Sequence, residues 1–240
     1  SKIICGIQQM GIGVPNVENA WKWYRKFFGV NVKVFEEAAD APLMTIYTGD
    51  KVQSRTATLA LSMEGGGGFE IWQYTSRNTE KASFDIQLGD FGLYMCRIKS
   101  RNVTESFNYF KENGAEIVSE LSSNPKGEKS FITKDPNGNL FHIVEGRGYF
   151  SDTKHPSKCG GVAGSMIGVS DIEKSISLYR DILGYETVDY DEIGIFEDLK
   201  NPTGVGIKKA FGARKNKYPA EELLEGMHNH IPLWKYKNKI

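Results

Sequence analysis

Gln9, Glu70 and His142 are polar side chains set between apolar or glycine neighbours, in stretches that read as β-strands. Side chains alternate between faces along a strand. In IQQMGIGV, residues 7–14, this puts Gln8, Met10, Ile12 and Val14 on one face and Ile7, Gln9, Gly11 and Gly13 on the other. Gln9 then stands over a bare glycine floor, with space for something bound beside it. In GGFEIWQY, Glu70 and Trp72 alternate with Phe69 and Ile71; in GNLFHIVE, His142 and Val144 alternate with Phe141 and Ile143. Superposing F-E-I on F-H-I sends Glu70 and His142 away from the apolar core. An amide oxygen, a carboxylate and an imidazole are competent ligands for a borderline divalent ion. The plainer readings are that Gln9 and Glu70 bind a substrate directly, and that His142 is hydrogen-bonded within its sheet.

A repeat positions these residues. GIGVPNVENAWKWYRKFFGV, residues 11–30, aligns without a gap on MIGVSDIEKSISLYRDILGY, residues 166–185. Ile12/Ile167, Gly13/Gly168, Val14/Val169, Glu18/Glu173, Tyr24/Tyr179, Arg25/Arg180 and Gly29/Gly184 are identical pairs. A weaker copy lies between them at residues 94–117, with two extra residues before Val103. Each copy runs from an apolar strand into a helix start, capped by Asn16, by Ser100 or Asn102, and by Asp171. Apolar residues then recur at helical spacing, and Gly29, Gly114 and Gly184 stop the helices.

Period two returns after each helix, in VNVKVFEE, AEIVSEL and ETVDYDE. LMTIYTG, RTATLALSM and GFEIWQY follow as candidate strands in copy one, and EKSFITKD and NLFHIVEG in copy two. The spacing predicts an α+β fold of tandem βαβββ modules. Residues 1–149 form a pair (about 4–80 and 84–147), 150–161 a linker, and 162–240 a partial third module with an irregular tail.

Composition fits a globular chain: 240 residues, 40% hydrophobic, with 30 basic and 30 acidic side chains. That balance offers no field for nucleic acid or an anionic membrane. No apolar run is long enough to span a bilayer, and the N-terminal stretch lacks a signal-peptide pattern. Cys5, Cys96 and Cys159 are widely spaced without CxxC, as expected of unbridged thiols in a cytoplasmic protein.

The GVPN/GVSD turns, the YRKFFG/YRDILGY helix ends and KDPNGNLFHIVE resemble the vicinal oxygen chelate superfamily of glyoxalase I, extradiol dioxygenases and bleomycin-resistance proteins. The resemblance covers copies one and two and the first half of copy three. It implies curled sheets forming a cup with helices outside, a divalent metal in the cup, and substrate oxygens completing its coordination. Its ligand positions, on the first and last strand of a module, fall on Gln9 and Glu70 in copy one and on His142 in copy two. Trp72 would line the substrate side. The Gln-plus-Glu pair resembles the half-site of glyoxalase I.

Copy two has Leu93 and copy three Gly164 where a first-strand ligand would stand, and copy three lacks a DPxGxxxE ending. The resemblance therefore implies a four-module protein of which this chain carries two modules and part of a third. Two functions follow. One is a metal-dependent lyase, isomerase or dioxygenase of the glyoxalase type, using zinc, nickel, iron or manganese, with Glu70 as ligand and proton carrier. The other is metal-free sequestration of a small molecule, as in the bleomycin-resistance branch. A homodimer, or association with a further module, would supply the missing half of the site. His228 and His230, the glycine run 65–68 and the basic run 208–217 read as a solvated tail, a hairpin turn and a surface loop.

Overall fold

A computed structural model of the chain describes residues 7–80, 86, 90–124, 126–152 and 154–185. Cys5, His228, His230, the basic run and the strand expected at ETVDYDE lie outside the described residues.

Module one runs β1 (Gln9–Gly13), α1 (Val17–Phe28), β2 (Val32–Asp40), β3 (Ser54–Leu61) and β4 (Gly68–Tyr74), in sheet order β1-β4-β3-β2. LMTIYTG is not the strand its composition suggests. A 3-10 helix, Pro42–Tyr47, takes its place, with Pro42 in the first turn, where a missing N–H costs nothing.

Module two runs β5 (Gly92–Ser100), α2 (Val103–Glu112), β6 (Glu116–Ile117), β7 (Ser122–Ser123), β8 (Lys129–Lys134) and β9 (Leu140–Glu145). AEIVSEL supplies only the two-residue β6 before the chain turns away. Module three contributes β10 (Cys159–Gly168) and α3 (Ile172–Ser177), followed by one π-helical turn. The second sheet has the order β10-β5-β9-β8-β6.

The helix caps follow from the sequence. Asn16 Oδ1 accepts the Asn19 N–H at 2.8 Å, Asn102 Oδ1 the Glu105 N–H at 3.1 Å, and Asp171 Oδ1 the Lys174 N–H at 3.1 Å. Gly29 closes α1 at φ 65°, a left-handed conformation that glycine adopts without strain.

Modules one and two share a single core, and both helices lie in it, on the side of each sheet away from its concave face. Phe28 of α1 sits 6.0 Å from Phe69 of the first sheet and 4.7 Å from Phe141 of the second, between ring centroids. Phe110 of α2 packs on Phe27 at 4.8 Å and on Phe131 at 5.4 Å. Burying each such ring contributes about 1.5–3 kcal/mol. The Tyr24 hydroxyl, fully buried, donates to Asp135 Oδ2 at 2.6 Å and ties α1 to the β8–β9 turn of module two.

This arrangement corrects the expectation of one cup shared by modules one and two. They meet through their core faces, so their concave faces look away from each other. Edge-to-edge pairing instead joins modules two and three, where β10 runs antiparallel to β5.

The expected linker at 150–161 is also tighter than a tether. Glu64, buried in module one, accepts from the His155 backbone N–H at 2.7 Å and lies 3.5 Å from Arg101 Nε. Arg101 in turn stacks 3.8 Å over Tyr149. β10 begins inside the segment, at Cys159.

Candidate metal and substrate site

Strand register settles which side chains share the concave face of module one. Parallel pairing of β1 with β4 sets Gln9 beside Gly68, Gly11 beside Glu70 and Gly13 beside Trp72. Antiparallel pairing of β3 with β4 sets Leu59 beside Glu70, Ala57 beside Trp72 and Arg55 beside Tyr74. Phe69 and Ile71, the alternate residues, are fully buried in the shared core. Glu70 and Trp72 therefore project from the concave face, as the alternation predicts.

Gln9 and Glu70 meet there. Gln9 Nε2 donates to Glu70 Oε2 at 2.5 Å, between two half-buried side chains on neighbouring strands. The floor beside them is open, for a Cβ added at Gly11 or Gly13 would meet nothing within 4 Å. An amide oxygen and a carboxylate are donor types that a divalent ion accepts, one from each of two adjacent strands. The Gln9 nitrogen is what faces Glu70 here, so the amide must turn to offer its oxygen.

His142 is not brought to this pair. It lies on β9, beside Arg97 of β5 and Ile132 of β8, with 1% of its surface exposed. Its neighbour Phe141 faces the core opposite Phe69, 5.8 Å away between ring centroids, so His142 leaves the other side of the molecule from Glu70. The F-E-I over F-H-I superposition finds the correct face of each strand. It carries no information on how the two sheets are stacked. Among the described residues, no group of three or more His, Cys, Asp or Glu side chains could hold a metal ion. The register also moves the first-strand ligand position of module two from Leu93 to Met95. Cys96 pairs with Phe141 as Met10 pairs with Phe69, so Met95, buried and apolar, stands where module one has Gln9.

Arg55 completes the concave face, and the sequence reading passes over it. Its guanidinium lies 5.0 Å above the Trp72 ring, while Nη1 and Nη2 donate to the Glu37 carbonyl at 2.8 Å and the Glu37 carboxylate at 2.7 Å. Arg77 stacks at 5.0 Å over Tyr74, and Tyr74 lies 6.2 Å from Trp72. The signal was present in RTATLAL. Arg55 shares the face of Ala57 and Leu59, where small and apolar side chains leave a charge conspicuous.

A cavity of about 350 Å³ at the start of α2, lined by Arg101, Asn102, Lys129, Glu145 and Arg147 among others, contains none of Gln9, Glu70, Trp72 or His142.

The family model of the Glyoxalase/Bleomycin resistance protein/Dioxygenase superfamily matches residues 6–143. The chain belongs to this superfamily. Among solved structures, a candidate dioxygenase from Bacillus subtilis subsp. subtilis str. 168 has a TM-score of 0.56 at 14% identity, over 85% of this chain and 62% of that one. A glyoxalase family protein from Bacillus cereus has a TM-score of 0.50 at 14% identity, over 60% of this chain and 95% of that one. Glyoxalase I from Zea mays is 19% identical over 77% of this chain and 57% of its own, with a TM-score of 0.48. At these identities the likeness is one of fold. No curated protein sequence matches the chain.

The βαβββ modules and curled sheets are thus those of the glyoxalase superfamily. Cys96 and Cys159 are free and buried. No helix among the described residues is long and apolar enough to cross a membrane.

Proposed function

We propose that the concave face of module one is the active face of a metal-dependent lyase, isomerase or dioxygenase of the glyoxalase type, acting on a small molecule with vicinal oxygens. The 2.5 Å contact of Gln9 with Glu70 beside the open glycine floor carries this reading. A zinc, nickel, iron or manganese ion would be held by the Gln9 amide oxygen and the Glu70 carboxylate. Such an ion supplies Lewis acidity toward the substrate oxygens. Among the described residues Glu70 is the carboxylate beside the glycine floor, and it takes a proton from the substrate at a carboxylate oxygen and returns it. Trp72 walls the substrate on the side away from Gln9. His142, buried on the second sheet, is not part of this pair.

Two donors are half of a site. Among the described residues β1 pairs only with β4, whereas β5, its counterpart, is covered on its far side by β10. We infer that a second copy of the chain, or a further module, covers the open edge of β1 and brings the remaining donors. Sedimentation at micromolar concentration tests this, with a dimer expected.

A second reading is favoured by that same scarcity of donors: metal-free binding of a small molecule, as in the bleomycin-resistance branch. The two are separated by the metal content of protein purified without chelator. The free, buried thiols suit a cytoplasmic setting.

A further inference from the structure

The far end of the same concave face has a distinct chemistry. Arg55 and Arg77 stack on Trp72 and Tyr74, so two guanidinium groups and two aromatic rings crowd one end of the sheet. One carboxylate, that of Glu37, is engaged there, and its side chain is 59% exposed. Two donors at this end have no hydrogen-bond partner although both are shielded from solvent: Arg55 Nε and Trp72 Nε1. Shielded donors without acceptors are unfavourable, and a ligand that supplies the acceptors recovers the loss. The nearest floor position, Gly13, has open space where a side chain would stand.

We propose that Arg55 and Trp72 form a carboxylate-binding subsite, so that the ligand of this face is a small organic anion. The planar carboxylate accepts from Arg55 Nε through one oxygen and from Trp72 Nε1 through the other, while its organic body lies over Gly13 towards Glu70. Two single N–H donors on adjacent strands match the two oxygens of one planar group. Arg55 must turn to admit it. The turn gives up an ion pair to the exposed Glu37, which is weak, and the Nη1 bond to the Glu37 carbonyl, which the charge-assisted bond to the carboxylate replaces. Glu37 is then a competitor that holds Arg55 in the absence of ligand. Arg77 adds a second positive charge at the mouth without touching the bound group.

The subsite rests on the reading that this face binds a small molecule, but not on the metal. The test is nuclear magnetic resonance of the full chain labelled with nitrogen-15. Benzoate serves as the probe and benzamide as its uncharged counterpart. Benzoate should shift the Trp72 indole N–H resonance (identified by its loss in Trp72→Phe) with a dissociation constant of about 1 mM. Benzamide should bind about tenfold more weakly or not at all. Glu37→Gln should tighten benzoate binding, and Arg55→Gln should weaken it about tenfold. An unmoved Trp72 resonance, or equal response to benzoate and benzamide, overturns the subsite using the unaltered protein alone. Benzoate binding that persists in Glu70→Gln while metal is lost supports the subsite and shows it independent of the metal pair. A wild-type protein that binds metal but not benzoate sinks the subsite and leaves the metal reading standing.

Discussion

The rings of Phe69 and Phe141 meet nearly edge to face, 5.8 Å apart, and bind the two sheets into one core. Because each precedes a polar residue on its strand, the contact also turns Glu70 and His142 away from that core on different sheets, Glu70 half-buried and His142 fully buried. Phe69→Leu and Phe141→Leu should each destabilise the protein, and the double variant should show a coupling of about 0.5–1.5 kcal/mol in urea unfolding. Strict additivity would contradict the shared core.

Tyr24 and Asp135 form the polar counterpart of that contact. Asp135 also accepts from the backbone N–H groups of Asn137 and Asn139 and from the Asn139 side-chain amide. Burial, together with the charge of Asp135, holds the Tyr24 hydroxyl well above the usual phenol range, so it stays a donor at neutral pH. Tyr24→Phe should lower unfolding free energy by about 1.5–3 kcal/mol, the range for hydrogen bonds to charged groups. A change within a few tenths of a kcal/mol would show that the bond does not join the modules.

Several of these features are legible in the sequence because they are local. The caps at Asn16, Asn102 and Asp171, the stop at Gly29 and the outward register of Glu70 and His142 depend on neighbours within a few residues. The stacking of the sheets does not. Side-by-side and core-to-core pairing of two βαβββ modules demand the same alternation, and only the packing of Phe28 against both Phe69 and Phe141 separates them. LMTIYTG has strand composition, yet Pro42 and the bond from Thr48 N–H to the Thr45 carbonyl at 3.0 Å hold a 3-10 helix instead. Residues 150–161 look like a linker because their partners, Glu64 and Arg101, are distant in sequence.

His155 gives the protein an acid sensitivity that can be assigned. Burial lowers its pKa below the usual histidine value of 6.5, against the opposing charge of Glu64 and a hydrogen bond from the ring to the Arg25 backbone carbonyl. A folded-state value below the unfolded one means that the unfolded chain binds more protons as pH falls. The stability is therefore present above pH 6.5 and is lost as pH falls from there through the lowered folded value. Urea midpoints should drop between pH 7.5 and 5.5 by less in His155→Gln than in the wild type. Equal drops would place the sensitivity elsewhere.

The glycine floor can be filled without harming the fold. A Cβ at Gly13 meets nothing within 4 Å, and its backbone is not left-handed. Gly13→Val should leave stability within about 0.5 kcal/mol of wild type, or raise it, since β-branched residues suit strands. It should nevertheless abolish ligand binding on this face. Loss of folding would show that the position is packed rather than open; unimpaired binding would show that the ligand lies elsewhere.

Metal analysis of the full chain, purified without chelator and resupplied with nickel or zinc, tests the pairing of Gln9 with Glu70 most directly. The account predicts a stoichiometric divalent ion that Glu70→Ala abolishes, Gln9→Ala weakens by at least about tenfold, and His142→Ala retains. A wild-type protein that binds no divalent ion, or an ion that survives Glu70→Ala and departs with His142→Ala, would contradict it.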